Sequence, residues 1–124
     1  MKLQLNQGGA GPHFTGYGEG YVSVAGQRYE RPLVLAPGQG VQDWAVGGFE
    51  AVTPADFEAL LRAHAPEVVV FGTGAKLRFP SAEVSRVLLR AGVGLEVMDT
   101  PAACRTYNIL LSEDRRVVAA ILLE

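Results

Sequence analysis

Cysteine, histidine and net charge are all scarce in this chain. Cys104 is the single cysteine among 124 residues, which excludes an intrachain disulfide and the disulfide-stapled class of secreted scaffolds, and points to a cytoplasmic address. The two histidines, His13 and His64, stand far from each other and from Cys104, so the spacings of a zinc or other transition-metal site are missing and neither a metal nor a cofactor is expected. Eleven Lys and Arg against thirteen Asp and Glu leave a formal charge of -2. Such a balance lacks the concentrated positive field needed to neutralise many phosphates, and nucleic acid is excluded as a partner. No apolar run approaches the roughly 20 residues of a membrane-spanning helix. The opening "MKLQLNQGGAGPHF" has no signal-peptide h-region and no organellar targeting pattern. A soluble, cytoplasmic protein without membrane insertion is expected.

What is present suffices for one core. Apolar residues make up 48% of the chain, enough to fill a single hydrophobic interior, and 1–124 is expected to form one domain. Residues 7–20, "QGGAGPHFTGYGEG", hold six of the fifteen glycines and predict an irregular arm carrying Phe14 and Tyr17. Two alternating runs, Tyr21–Val24 and Arg28–Leu35, flank Ala25-Gly26-Gln27 and predict a β-hairpin, with Pro32 placing the second strand at an edge or bulge.

Beyond Gly40 short strands alternate with three-turn helices, a pattern that predicts an α/β layer with parallel pairs. "VQDWAV", starting at Val41, is the first strand. Thr53-Pro54-Ala55-Asp56 reads as a cap, a helix-starting proline and a first-turn acid, followed by Phe57, Leu60, Leu61 and His64 on one face until Pro66. Glu67–Phe71, apolar from Val68 onward, is expected to be a central strand covered on both faces. Ser81 caps a second helix with Val84, Val87, Leu88 and Ala91 inward and Gly92 at its end. Leu95–Met98 is the next strand, Thr100-Pro101 opens a third helix through Ser112, and Arg116–Leu123 closes the chain as a strand.

"VVVFGTGAKLRFPS", Val68–Ser81, runs a strand into Gly72-Thr73-Gly74, the way many phosphate loops begin. A dinucleotide fingerprint needs glycine where Leu77 stands, and a Walker loop needs Ser or Thr after Lys76; both are excluded. What is left is a glycine turn at the carboxyl end of a strand, where open α/β sheets place ligand crevices, although glycine serves close packing as readily as binding. Asp99 and Thr100 end the adjacent strand and are expected beside Gly72, Thr73 and Gly74 at one rim. There Thr100 is expected to cap the third helix while Asp99 meets the helix dipole, Lys76 or Arg78. The alternative is an anion held by that helix N-terminus. Thr106, Tyr107 and Asn108, two turns into an otherwise apolar helix, predict an internal hydrogen-bond network. Cys104 is either a small core hydrophobe or a nucleophile activated by the helix N-terminus.

The Gly72-Thr73-Gly74 turn, the string "MDTPAACRTYNILLSEDRRVVAAIL" with its Asp-Thr, Ala-Ala-Cys, Thr-Tyr-Asn and Glu-x-Arg elements, and the order of elements resemble a family of small domains of unknown function that includes a mitochondrial respiratory complex I assembly factor. The resemblance covers nearly the whole chain. It implies a three-layer α/β domain with a mixed, mainly parallel sheet, here with an N-terminal β-hairpin and three helices. It implies no established enzyme activity and no catalytic residues. Two functional readings follow: a non-catalytic, assembly-factor-like interaction protein with a protein partner or a second copy of itself, the glycine-rich aromatic arm either presenting surface or covering its own sheet edge; or a small-molecule or anion-binding enzyme using the crevice of Gly72–Gly74, Asp99 and Thr100. The absence of a complete acid, base and nucleophile set favours the first.

Overall fold

The computed structural model describes residues 11–124, so residues 7–10 of the expected arm lie outside the described residues. Strands β1 (Phe14–Gly18), β2 (Tyr21–Val24) and β3 (Gln27–Tyr29) form an antiparallel three-stranded sheet. Strands β4 (Leu33–Leu35), β5 (Val41–Asp43), β6 (Val68–Thr73), β7 (Gly94–Met98) and β8 (Val117–Leu122) form a second sheet in the order β5-β4-β8-β6-β7. Helices α1 (Pro54–His64), α2 (Ala82–Arg90) and α3 (Thr100–Ser112) complete the α/β fold. The larger sheet is mixed, but the expected parallel majority is corrected to an even division. β6 runs parallel to β7 and β8, whereas β4 runs antiparallel to β5 and β8. The reason is that Val41–Asp43 returns directly on β4 as a hairpin strand instead of opening a strand–helix–strand unit.

The helices form where their signals lie. Thr53 and Asp56 make a reciprocal capping box, the Asp56 carboxylate accepting from the Thr53 amide at 2.8 Å. Ser81 accepts from the Val84 amide, and Gly92 takes φ 71° just beyond α2, a conformation that costs glycine little. Phe57 and Leu60 of α1, with Val84 and Leu88 of α2, are buried, whereas Ala91 is exposed.

Strand parity sorts the core into two clusters, one on each face of the large sheet. Val68 and Val70 of β6, Val117, Ala119 and Ile121 of β8, and Leu33 and Leu35 of β4 pack on the side of α3 and the small sheet. Val69 and Phe71, Val118, Ala120 and Leu122, and Val34 face the side that holds Phe57, Leu60, Val84 and Leu88. Trp44 and Phe57 set their rings edge-on to Phe71 at 5.8 and 5.3 Å, an arrangement that satisfies the ring quadrupoles. β6 is interior as expected, but β8 holds the middle of the five strands.

Two expectations for the N-terminal region are corrected. From Phe14 onward the arm is strand β1, and Phe14 is wholly buried against Tyr107, 5.5 Å between ring centroids; alternating Phe14, Gly16 and Gly18 leaves room for a strand that glycine content alone argues against. The hairpin's second strand ends at Tyr29, and Leu33–Leu35 crosses into the large sheet. Pro32 has no amide to extend the ladder, and three consecutive buried residues require cover on both faces.

Candidate functional site

Parallel pairing of β6 with β7 and β8 brings the carboxyl ends of all three strands to one rim, where α3 begins. The five residues singled out in the sequence, Gly72, Thr73, Gly74, Asp99 and Thr100, do meet there. Their hydrogen bonds tie the rim to itself, to the end of β8, to the loop after β6 and to the first turn of α3. The Thr100 hydroxyl donates to the Leu122 carbonyl at 2.6 Å and accepts from the Gly74 amide at 2.9 Å, while the Thr100 amide donates to the Gly74 carbonyl at 2.8 Å. Thr100 is 5% exposed.

The helix cap is therefore reassigned. Asp99 is the N-cap, its carboxylate accepting from the Ala102 amide at 2.9 Å, and Thr100 is the first helical residue with its side chain turned to the sheet. The negative charge sits at the positive end of α3. Arg78, one expected partner of Asp99, instead donates to the Thr73 carbonyl at 3.0 Å and pairs with the Glu124 carboxylate at 3.1 Å. Its guanidinium lies 4.6 Å above the Phe49 ring, and Glu124 also accepts from the Phe49 amide at 2.7 Å. Phe79, by contrast, points outward and is 72% exposed.

Each glycine of the turn has its own steric cause. A Cβ on Gly72 would sit 2.9 Å from the Thr100 hydroxyl oxygen and 3.0 Å from the Ala103 methyl, so its absence lets α3 lie close on β6. Gly74 has φ 100°, and a Cβ there would strike the Glu124 carbonyl, which accepts from the Ala75 amide at 2.9 Å. The Thr73 hydroxyl closes the following loop by donating to the Lys76 carbonyl at 2.6 Å and accepting from the Arg78 amide. Gly72–Gly74 thus forms a tight turn packed on α3 and on the end of β8. Outside it lies a cleft of about 470 Å³, bounded by Tyr17–Gly20 on one side and by Gly74, Thr100, Pro101 and Glu124 on the other.

Farther along α3, Asn108 is 4% exposed and its carboxamide accepts from the Phe14 amide at 2.9 Å and donates to the Phe14 carbonyl at 2.8 Å. It takes the place of a neighbouring strand on the outer edge of β1. Of the internal network expected of Thr106, Tyr107 and Asn108, it is Asn108 that makes these bonds, and its partner, ninety-four residues away in sequence, carries no local signal. Among the described residues the buried Tyr107 hydroxyl has no hydrogen-bond partner, and burial pushes its pKa up. Cys104 is fully buried among apolar residues, and desolvation pushes its thiol up to about 12. Burial outweighs the helix N-terminus, and the thiol is the core hydrophobe of the two alternatives. His64 closes α1 with its pKa lowered by burial. Glu67 is held low chiefly by the Arg116 amide at 2.9 Å, helped by the Arg115 ion pair at 3.2 Å. Among the described residues no group of three or more His, Cys, Asp or Glu is placed to hold a metal ion.

A family model described as a protein of unknown function (DUF498/DUF598) matches residues 14–122. The bovine (Bos taurus) protein named NADH dehydrogenase [ubiquinone] 1 alpha subcomplex assembly factor 3 is 36% identical over 104 residues, spanning 83% of this chain and 55% of its own. This chain thus covers little more than half the length of that relative. The 13 kDa major membrane protein of Francisella tularensis subsp. holarctica is 29% identical over 124 residues, 98% of this chain and 99% of its own. A crystal structure of a Bordetella parapertussis protein superposes with a TM-score of 0.87 at 41% identity, covering 93% of this chain and 98% of that one.

Two measurements check the site. Thr100→Val leaves a buried donor and a buried acceptor unmatched and should cost about 2–4 kcal/mol in denaturant unfolding, whereas Thr100→Ser should retain most of the stability. Equal losses in both variants would contradict the hydroxyl's role. Cys104 should react with iodoacetamide at neutral pH far more slowly in the native than in the unfolded protein. Because the folded thiol is the weaker acid, its contribution to stability is complete below pH 9 and is lost as the pH climbs toward 12. Rapid native labelling would contradict the burial.

Proposed function

The chain belongs to the DUF498/DUF598 family of unknown function, and from that membership we propose that it is a non-catalytic interaction protein of the assembly-factor kind. The observation that carries this reading is the alignment of 83% of the chain with a protein named as an assembly factor of NADH dehydrogenase. The geometry supports it. The hydroxyls and amides at the strand-end rim hold elements of the fold together, and the one thiol is a core group with a raised pKa. On this reading the partner is a protein, by the relative's name a subunit or subcomplex of an NADH dehydrogenase, and the chain acts in the cytoplasm as a single domain. No helix among the described residues is long and apolar enough to cross a membrane.

A second reading takes the cleft beside Gly74 and Thr100 as a small-molecule or anion site that uses the rim of Gly72, Thr73, Gly74, Asp99 and Thr100. The observation that favours it is the cleft's volume of about 470 Å³. An occupant would approach the outer side of the turn, because the Gly74 and Ala75 amides already donate inward.

Deletion of the gene in its source cell separates the two. The assembly reading expects NADH dehydrogenase to be depleted on native gels, with subcomplexes accumulating and the tagged chain co-migrating with them. Full assembly in the deletion strain would overturn it. Ligand-dependent shifts of the Gly74 and Thr100 amide resonances in that case would favour the second reading.

A further inference from the structure

Among the described residues β7 is an outer strand of the large sheet and bonds to β6 alone. Along its other side the outward-facing amides and carbonyls have no strand partner among the described residues. A groove of about 740 Å³ opens along this edge between β7 and α2, lined largely by apolar side chains that include Leu88, Leu95 and Val97. Among the described residues Arg86 is the one charged residue in its lining. Two of the large apolar side chains that line it are exposed, Phe79 at 72% and Leu89 at 77%. Bare strand edges and contiguous apolar patches are features that monomeric proteins blunt with charge or cover.

We propose that this edge is a self-association surface whose occupant is a second copy of the chain. Two β7 strands pair antiparallel about a two-fold axis at Leu95, and Phe79 and Leu89 of each copy enter the groove of the other. The sequence of the strand argues for a copy over an unrelated segment. Centred on Leu95, the pairing sets Val93 opposite Val97, both of which belong with Leu95 to the apolar cluster on the α2 side. On the other face it sets Glu96, exposed, opposite Gly94, which has no side chain. A shift that centres the pair on Glu96 instead sets two carboxylates side by side, which is unfavourable between cross-strand neighbours. The register centred on Leu95 keeps the two carboxylates apart. A two-fold interface also requires both halves of every contact on the same surface, and here the protruding residues and the groove adjoin one another.

Sedimentation equilibrium of the full chain across micromolar to several hundred micromolar concentrations tests the proposal. A monomer–dimer equilibrium is expected, weakened at least roughly tenfold by Leu89→Asp, since a charge would then enter a buried apolar contact. Leu89 is exposed within one copy, so the melting temperature of that variant under dissociating dilution should stay unchanged. In mild oxidant, Leu95→Cys should cross-link two chains at the dyad, and Glu96→Cys much more slowly. A monomer at every concentration would overturn the proposal. So would a dimer that Leu89→Asp leaves intact, or one that cross-links through Glu96→Cys in preference to Leu95→Cys.

Discussion

The Thr100 hydroxyl is where three parts of the chain are joined. It receives the amide of Gly74 at the end of β6 and gives its proton to the carbonyl of Leu122 near the end of β8, from the first turn of α3. A side chain with one donor and two acceptor sites meets both demands in a buried place. Several other features depend on that junction. α3 must approach β6 closely enough for the bond, so position 72 carries no Cβ. The chain must then turn sharply to place its amide on Thr100, so position 74 has a positive φ. Asp99, one residue earlier, is left to cap the helix.

With α3 seated, the small sheet acquires its support. Asn108 lies about two turns farther along and holds the outer edge of β1 through both polar groups of Phe14. The Phe14 ring then packs on Tyr107 inside the cluster that also contains Cys104 and Leu111. The helix is thus bonded at one end to the large sheet and farther along to the small one. Thr100 and Asn108, polar residues on its buried side, are structural joints, which explains why an apolar helix tolerates them: a buried polar group either finds a partner or is costly.

Much of this was legible because helix ends and buried strands leave local marks. Thr53-Pro54-Ala55-Asp56, Ser81 and Gly92 mark α1 and α2 directly, and the unbroken apolar runs of β6 and β8 mark strands covered on both faces. The meeting of Gly72–Gly74 with Asp99–Thr100 followed from two parallel neighbours ending at one rim. Other features depend on partners distant in sequence. Asp99 and Thr100 are both good caps, and only the presence of Gly74 and Leu122 decides which one turns toward the sheet. A glycine-rich segment reads as irregular until Asn108 and β2 supply both sides of a strand for Phe14–Gly18. Glu124, which links Arg78, Phe49 and Ala75, carries no pattern at all.

Through these joints α3 locks the two sheets into one cooperative unit. Native-state hydrogen exchange read at the Gly74 and Phe14 amides tests it most directly, since each amide is bonded to a side chain of α3. Both amides are expected to exchange only through global unfolding, with the same exchange free energy as the amides of β6 and β8. Exchange of either amide through a local opening, at a free energy well below that of the central strands, would contradict it.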